Sequence, residues 1–397
     1  MPELAPHALT IPASGIRRTY ELAQELDDVI HLHVGEPDLP VAPHVLAAGA
    51  AAWTADVTNY TANGGVPALR AAIVDKLARE NSLVVDVEQV WVTAGGMQAL
   101  HQAMSLTLDA GDEVLVPDPG YVNFSMTARH VGAVPVPYPL DADRGFRPDL
   151  AALEARVTAR TRVLVVNSPS NPLGTVLDEE DLRGLLDVAS RHDLWVLSDE
   201  VYERFTVGVP HTSTASLDTE GRVLSVFSFS TTYALTGARV GWLVTPPGWG
   251  PLLRTAQEAV VSCVNAPAQL AALAALQGDQ GVVARAAEHY RGNVEAACDL
   301  LDRHGIRYQR PAGAFYLWID VTHLAGGDVA AWVERFLREH RVAVAPGDAF
   351  GASGQGWIRV SAASSRADLL EGLRRLSTVS AAAGHTGEPE QDRRTEG

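Results

Sequence analysis

Two serines and an arginine carry the first sign of chemistry. Ser228 and Ser230 lie in Ser228-Phe229-Ser230-Thr231-Thr232-Tyr233, and Arg239 follows in Gly237-Ala238-Arg239-Val240-Gly241. Two hydroxyls and a guanidinium converging from one loop can clamp a phosphate, since arginine adds charge and a bidentate fork to the hydroxyl donors. The same residues also fit a serine-rich loop with a solvated arginine. A second anion-binding element is Ala94-Gly95-Gly96-Met97, where the run Trp91-Val92-Thr93 gives way to a helical pattern. Backbone amides there could face an anion, with the helix dipole favouring it. A glycine pair at such a junction equally serves tight backbone geometry alone.

The elements that must position these groups follow from apolar, β-branched runs bounded by turn residues. Strands are predicted at residues 89–93, 113–116, 162–166, 194–197 and 222–227, with helices at 96–108, 177–191 and 249–260 between and after them. Alternation of this kind builds a parallel sheet, and the purely apolar strand centres require cover on both faces. The fold class is therefore α/β, with a mostly parallel, doubly wound sheet in a large domain. After about residue 275 the pattern changes to an arginine-rich helix at 282–304 and short alternating strands around 314–320 and 342–345, which reads as a smaller α+β domain. The expected division is a large domain at 45–275, a small domain from 1–44 and 276–379, and a disordered tail at 380–397. Just beyond the predicted strands stand Gly96, Tyr121, Asn171, Asp199 and Ser228. Ligands of open parallel sheets bind in that crevice.

Composition narrows the function. The 397 residues are 47% hydrophobic, enough for two packed domains, and carry a net charge of -17, which argues against a nucleic-acid partner. Two cysteines without CxxC spacing make no disulfide framework. No run reaches the ~18 apolar residues of a membrane span and no secretory pattern opens the chain, so a soluble, cytoplasmic protein is expected. Lys76 is the only lysine; every other basic residue is arginine.

Taken in order, these motifs resemble the fold-type I, pyridoxal-phosphate-dependent aminotransferases, the class I/II aminotransferase family, over roughly residues 12–378. Residues 228–241 are similar to the family's S-x-S-K-x-x-x-x-x-G-x-R-x-G, and 167–174 (Asn-Ser-Pro-Ser-Asn-Pro-Leu-Gly) to its N-x-P-x-N-P-T-G. The resemblance implies that Ser228, Ser230, Arg239 and the amides of Gly96 and Met97 hold the cofactor phosphate. It implies further that Asp199 faces the ring nitrogen, that Asn171 and Tyr202 reach the ring hydroxyl, and that Tyr121 stacks on the ring. Arg359, in Trp357-Ile358-Arg359-Val360-Ser361, matches the arginine that grips the substrate carboxylate, and Gly35, in Gly35-Glu36-Pro37-Asp38, the turn near the substrate. Tyr60 matches a tyrosine that reaches the neighbouring subunit's cofactor, which implies a homodimer with shared active sites. Read without the resemblance, Asp199 fits a helix cap, Tyr121 core packing and Arg359 a solvated strand face. His31 and His33 are expected as packed or surface imidazoles.

One position departs from the motif: Thr231 stands where the family keeps its Schiff-base lysine. A threonine hydroxyl is neither a nucleophilic amine nor a base near neutral pH. Lys76, in a helix read as remote from the strand ends, is expected to be exposed and offers no replacement. Three accounts follow: an enzyme that holds pyridoxal or pyridoxamine 5'-phosphate noncovalently and acts on an amino or 2-oxo acid, a catalytically silent binding protein, or an engineered lysine-to-threonine variant.

Overall fold

The computed structural model describes residues 3–385. A short strand β1 (Ile30–His31) precedes an eight-stranded sheet made of β2 (Val90–Thr93), β3 (Glu113–Asp118), β4 (Val134–Asp141), β5 (Arg147–Pro148), β6 (Thr161–Asn167), β7 (Trp195–Asp199), β8 (Val223–Ser228) and β9 (Gly241–Val244). Their spatial order is β2-β9-β8-β7-β6-β3-β4-β5. Strands β4, β3, β6, β7 and β8 run parallel, and β2 shares their direction because both it and β8 are antiparallel to β9.

The apolar strand centres feed two helical layers. Along β6 and β7, Val163, Val165 and Leu197 pack with Ala99, Leu100 and Met104 of the helix Gly95–Thr107. The intervening Leu164, Val166 and Val196 pack on the opposite face with Leu182, Leu185 and Val188 of the helix Glu179–Arg191. Successive side chains of a strand point to opposite faces, so a continuous apolar run serves both layers. The second helix starts at a reciprocal cap: Asp178 Oδ1 accepts from the Asp181 amide at 3.0 Å, and Asp181 Oδ2 from the Asp178 amide at 3.3 Å.

Three strands of the large sheet, β4, the two-residue β5 and β9, are not among those predicted from apolar runs. β4 is masked by Pro135, Pro137 and Pro139, residues that donate no ladder bond; they are tolerated because β5 covers only its end, at Leu140 and Asp141. β9 is short and begins inside the glycine-arginine stretch read as a loop.

The C-terminal part adds β10 (Tyr308–Gln309), β11 (Tyr316–Asp320), β12 (Val342–Ala343), β13 (Ala345–Pro346) and β14 (Trp357–Ser361). β10-β11-β14-β13 form an antiparallel sheet, and β12 pairs in parallel with β1. Ile319, Ile358 and Val360 pack with Val294 and Leu301 of the helix Gly281–Arg303 and with Leu369 and Leu373 of the helix Arg366–His385. That last helix corrects one boundary: a disordered tail is expected from residue 380, but the helix continues to His385. The remainder of the expected tail lies outside the described residues. Among the described residues, no helix is long and apolar enough to cross a membrane.

Gly241 marks where β9 meets the start of the helix Gly95–Thr107. A Cβ there would stand 2.7 Å from the Phe227 carbonyl oxygen and 2.9 Å from the Gly96 nitrogen, both backbone atoms. Gly241→Ala should therefore destabilise the fold by about 1–3 kcal/mol, read as a lower urea midpoint; an unchanged midpoint would contradict this packing.

Candidate active site

The residues singled out at the strand ends converge, with Gly35 and Arg359, on one cleft of about 650 Å³. Tyr60 is not among its lining residues and is 91% exposed.

At one end lies the anion cradle. The helix Gly95–Thr107 has no side-chain N-cap, so Ala94 supplies no acceptor to its first-turn amides, those of Gly96 and Met97 included. Ser228 ends β8 and caps the short helix Phe229–Thr232, its Oγ accepting from the Ser230 amide at 3.1 Å. Arg239 has left-handed backbone geometry, φ 55°, and donates to the Thr236 carbonyl at 2.8 Å and to Ser230 Oγ at 3.4 Å. Its guanidinium lies so close over Gly95 that a Cβ at that glycine would fall 2.4 Å from Arg239 Nη2. Glycine is required here by close approach as well as by its φ of 79°.

The middle of the cleft holds Asp199, buried at the end of β7. Its Oδ1 accepts from the Val201 amide at 3.3 Å, and no cationic side chain pairs with it among the described residues. Burial, with Glu200 nearby, pushes its carboxyl up to about 7, against the Val201 hydrogen bond. Tyr202 OH lies 2.7 Å from Tyr316 OH, and burial holds both phenols above their ordinary value. Tyr121 OH, pushed up to about 12 by burial, accepts from Asn123 Nδ2 at 2.8 Å. Thr231 is buried, and its hydroxyl donates to the Val201 carbonyl.

The far end is built around Arg359. Alternation along β14 sends Ile358 and Val360 into the core and leaves Arg359 on the other face, where it is buried. Its Nη1 donates to Asn171 Oδ1 at 2.8 Å and its Nη2 to the His33 carbonyl at 2.5 Å. The guanidinium carbon lies 4.3 Å from the Tyr316 ring centroid and 4.9 Å from that of Phe350, while Nε has no partner. A fixed guanidinium in the cleft wall suits a carboxylate. Gly35 is held against the Tyr316 hydroxyl, where a Cβ would be 1.8 Å away.

Several lining residues carry no chemical motif. Asn123, which also donates to Met97 Sδ at 3.2 Å, fixes the Tyr121 hydroxyl. Ser14, Arg17 and Tyr20 reach the cleft from the helix Gly15–Gln24 and its cap. Ser14 is legible as an N-cap; its place in the cleft is not. His33 is fully buried with neither ring nitrogen partnered, and burial, with His31 and Arg359 close by, pushes it down to about 3. Its contribution to the site is its backbone carbonyl. Lys76, expected to be exposed, is buried instead. The spacing of Leu69, Ile73, Lys76 and Leu77 places it on the apolar stripe of its helix, a signal that was available.

The model of the family "Aminotransferase class I and II" matches residues 27–376. The chain belongs to that family. It is 33% identical over 379 residues to an aspartate aminotransferase of Pyrococcus horikoshii, covering 94% of this chain and 96% of the relative. To an aspartate/prephenate aminotransferase of Thermus thermophilus it is 35% identical over 365 residues, 91% of this chain and 94% of that one. The structure of the aspartate aminotransferase from Thermus thermophilus with maleate superposes with a TM-score of 0.90 at 34% identity, covering 96% of this chain and 100% of that chain. The family's cofactor is pyridoxal phosphate and its substrates are amino and 2-oxo acids. The residues here fit that cofactor: uncapped helix amides and Arg239 for a phosphate, and a buried Asp199 carboxyl without a cation for a protonated ring nitrogen.

The raised Asp199 carboxyl carries a stability consequence. The folded state binds its proton more tightly than the unfolded chain, so stability contributed by Asp199 declines as pH rises from about 4 to about 7. Asp199→Asn in the cofactor-free protein should raise the melting temperature at pH 8 by on the order of 5 °C, with the gain vanishing toward pH 4. A pH-independent difference would sink this account of the buried acid.

Proposed function

We propose that this aminotransferase-family chain holds pyridoxal 5'-phosphate or pyridoxamine 5'-phosphate without a covalent bond and receives an α-amino or 2-oxo acid beside it. One observation carries the reading: anion cradle, buried acid and carboxylate-ready arginine share one cleft, and no lysine is among its described lining residues.

In this reading Ser228, Ser230, Arg239 and the Gly96 and Met97 amides take the phosphate. Asp199 faces the ring nitrogen, Asn171 and Tyr202 the ring hydroxyl, and Tyr121 the ring face. Arg359 orients the acid through its carboxylate, beside the Gly35 turn. When bound, the cofactor supplies an electron sink for the carbon next to the substrate nitrogen. Pairing with a ring cation draws the Asp199 carboxyl back toward its ionised form, offsetting the burial that raises it. Thr231 occupies the place of the lysine, and its hydroxyl is engaged as a hydrogen-bond donor to the Val201 carbonyl. The hydroxyl pair Tyr202 and Tyr316 holds a proton between two phenolic oxygens that burial keeps protonated. No lysine is among the described lining groups to carry transamination, and proton transfer falls to this hydroxyl pair and to water.

Tyr60 supports a homodimer. It is almost fully exposed, and Leu46, Trp53 and Val57 nearby in sequence are exposed apolar residues that a second copy would cover while Tyr60 reaches its phosphate.

The purified protein should bind pyridoxal phosphate and, after borohydride, retain no covalently attached cofactor; stable attachment would overturn the assignment of Thr231. Asp199→Ala and Arg239→Ala should each abolish binding, and unchanged affinity in both would remove the cofactor reading. Absorbance spectra with pyridoxamine phosphate and a panel of 2-oxo acids, compared with Thr231→Lys, then test chemistry. Turnover by the protein as it stands supports lysine-free catalysis; turnover restored only in Thr231→Lys favours a catalytically silent or an engineered chain.

A further inference from the structure

The only lysine of the chain sits behind the cleft, in a shell built for an ammonium. Lys76 and Glu203 side chains are 4% and 7% exposed. Lys76 Nζ donates to Asn81 Oδ1 at 2.7 Å and to Glu203 Oε1, and Asn81 Nδ2 donates to Glu203 Oε2 at 2.5 Å, closing a three-membered network. Its remaining sides face aromatic rings, with Nζ 5.0 Å from the centroid of Phe227 and 5.6 Å from that of Trp242, which stack on each other at 5.0 Å. A compact charge with three tetrahedral donors fits two oxygens and two ring faces, whereas the planar fork of arginine does not.

Each partner leads into the site. Phe227 immediately precedes Ser228 on β8, and Trp242 follows Gly241 on β9. Glu203 directly follows Tyr202 and lies on the turn that leaves Asp199, tied by its amide to the Glu200 carbonyl at 3.0 Å. The same turn carries the Val201 carbonyl that takes the Thr231 hydroxyl. Lys76 therefore joins the turn bearing the ring-facing groups to the strands bearing the phosphate loop, with Asn81 capping its own helix as the third anchor.

On the cofactor reading given above, we propose that Lys76 is a positioning residue that fixes residues 199–203 against β8 and β9, setting the spacing between the Asp199–Tyr202 end of the site and its phosphate end. It touches neither substrate nor cofactor. A buried ammonium paired on one side and enclosed by rings on the others resists displacement, because moving it leaves Glu203 unpaired in a low-dielectric interior.

The test compares the full chain with Lys76→Met and with Lys76→Met/Glu203→Gln; the double variant avoids stranding a buried carboxylate if the single one fails to fold. Affinity for pyridoxal phosphate should fall about tenfold or more, while affinity for inorganic phosphate alone stays at the wild-type value. In the ligand-free protein, amide hydrogen exchange should speed up at residues 201–205 and stay unchanged across the strands of the large sheet. Wild-type cofactor affinity and wild-type exchange in the double variant would overturn the proposal, as would equal losses of cofactor and phosphate affinity, which mark a general stabilising role. If the wild-type chain itself takes up no pyridoxal phosphate, the cofactor reading fails, and the exchange experiment still decides whether Lys76 fixes the turn.

Discussion

Parallel strands cannot be joined by tight turns, and this constraint organises the molecule. Each connection between β3, β4, β6, β7 and β8 has to cross back over a sheet face, so these strands end at the same edge. Short polar segments after the strands are then brought together although they lie far apart in sequence. The one reversal among the central strands, β9 between β2 and β8, brings Gly241 against the first turn of the helix Gly95–Thr107 and Arg239 over Gly95. The end of the cleft formed by Gly95, Gly96 and Arg239 is a product of that reversal.

Three residues of the cleft break the ordinary rules of good packing. Asp199 is a buried acid without a cation, Arg359 Nε a buried donor without an acceptor, and Arg239 a non-glycine residue at positive φ. Each costs about 1–3 kcal/mol or more in isolation. They persist because rigid neighbours hold them: two helical layers around the sheet, and an antiparallel sheet whose other face is apolar core.

Much of this was legible beforehand. The central strands reveal themselves through apolar runs, and the polar groups just past them through their order along the chain. Legibility failed where residue type and environment disagree. Prolines at alternate positions hid β4, since a strand lying near the sheet edge can dispense with donors that a central strand needs. The charge of Lys76 points to the surface, whereas its place on the apolar stripe of its helix points inward. Ser14, Arg17 and Tyr20 come to the cleft because their helix packs against the helix Val329–His340 and β13, contacts more than three hundred residues away that no local pattern encodes. Asn123 was missed because a single amide beside an aromatic residue has no characteristic spacing.

The enclosure of Lys76 has a consequence for how the whole surface meets its surroundings. With the only ε-amine sealed beneath aromatic rings, positive side-chain charge at the surface rests on guanidinium groups, which stay protonated up to pH ~12, and on histidines. The exterior offers no lysine to condense with free aldehydes or to accept acyl groups. A carbonyl compound that enters the cleft meets no lysine there and is held by shape and charge.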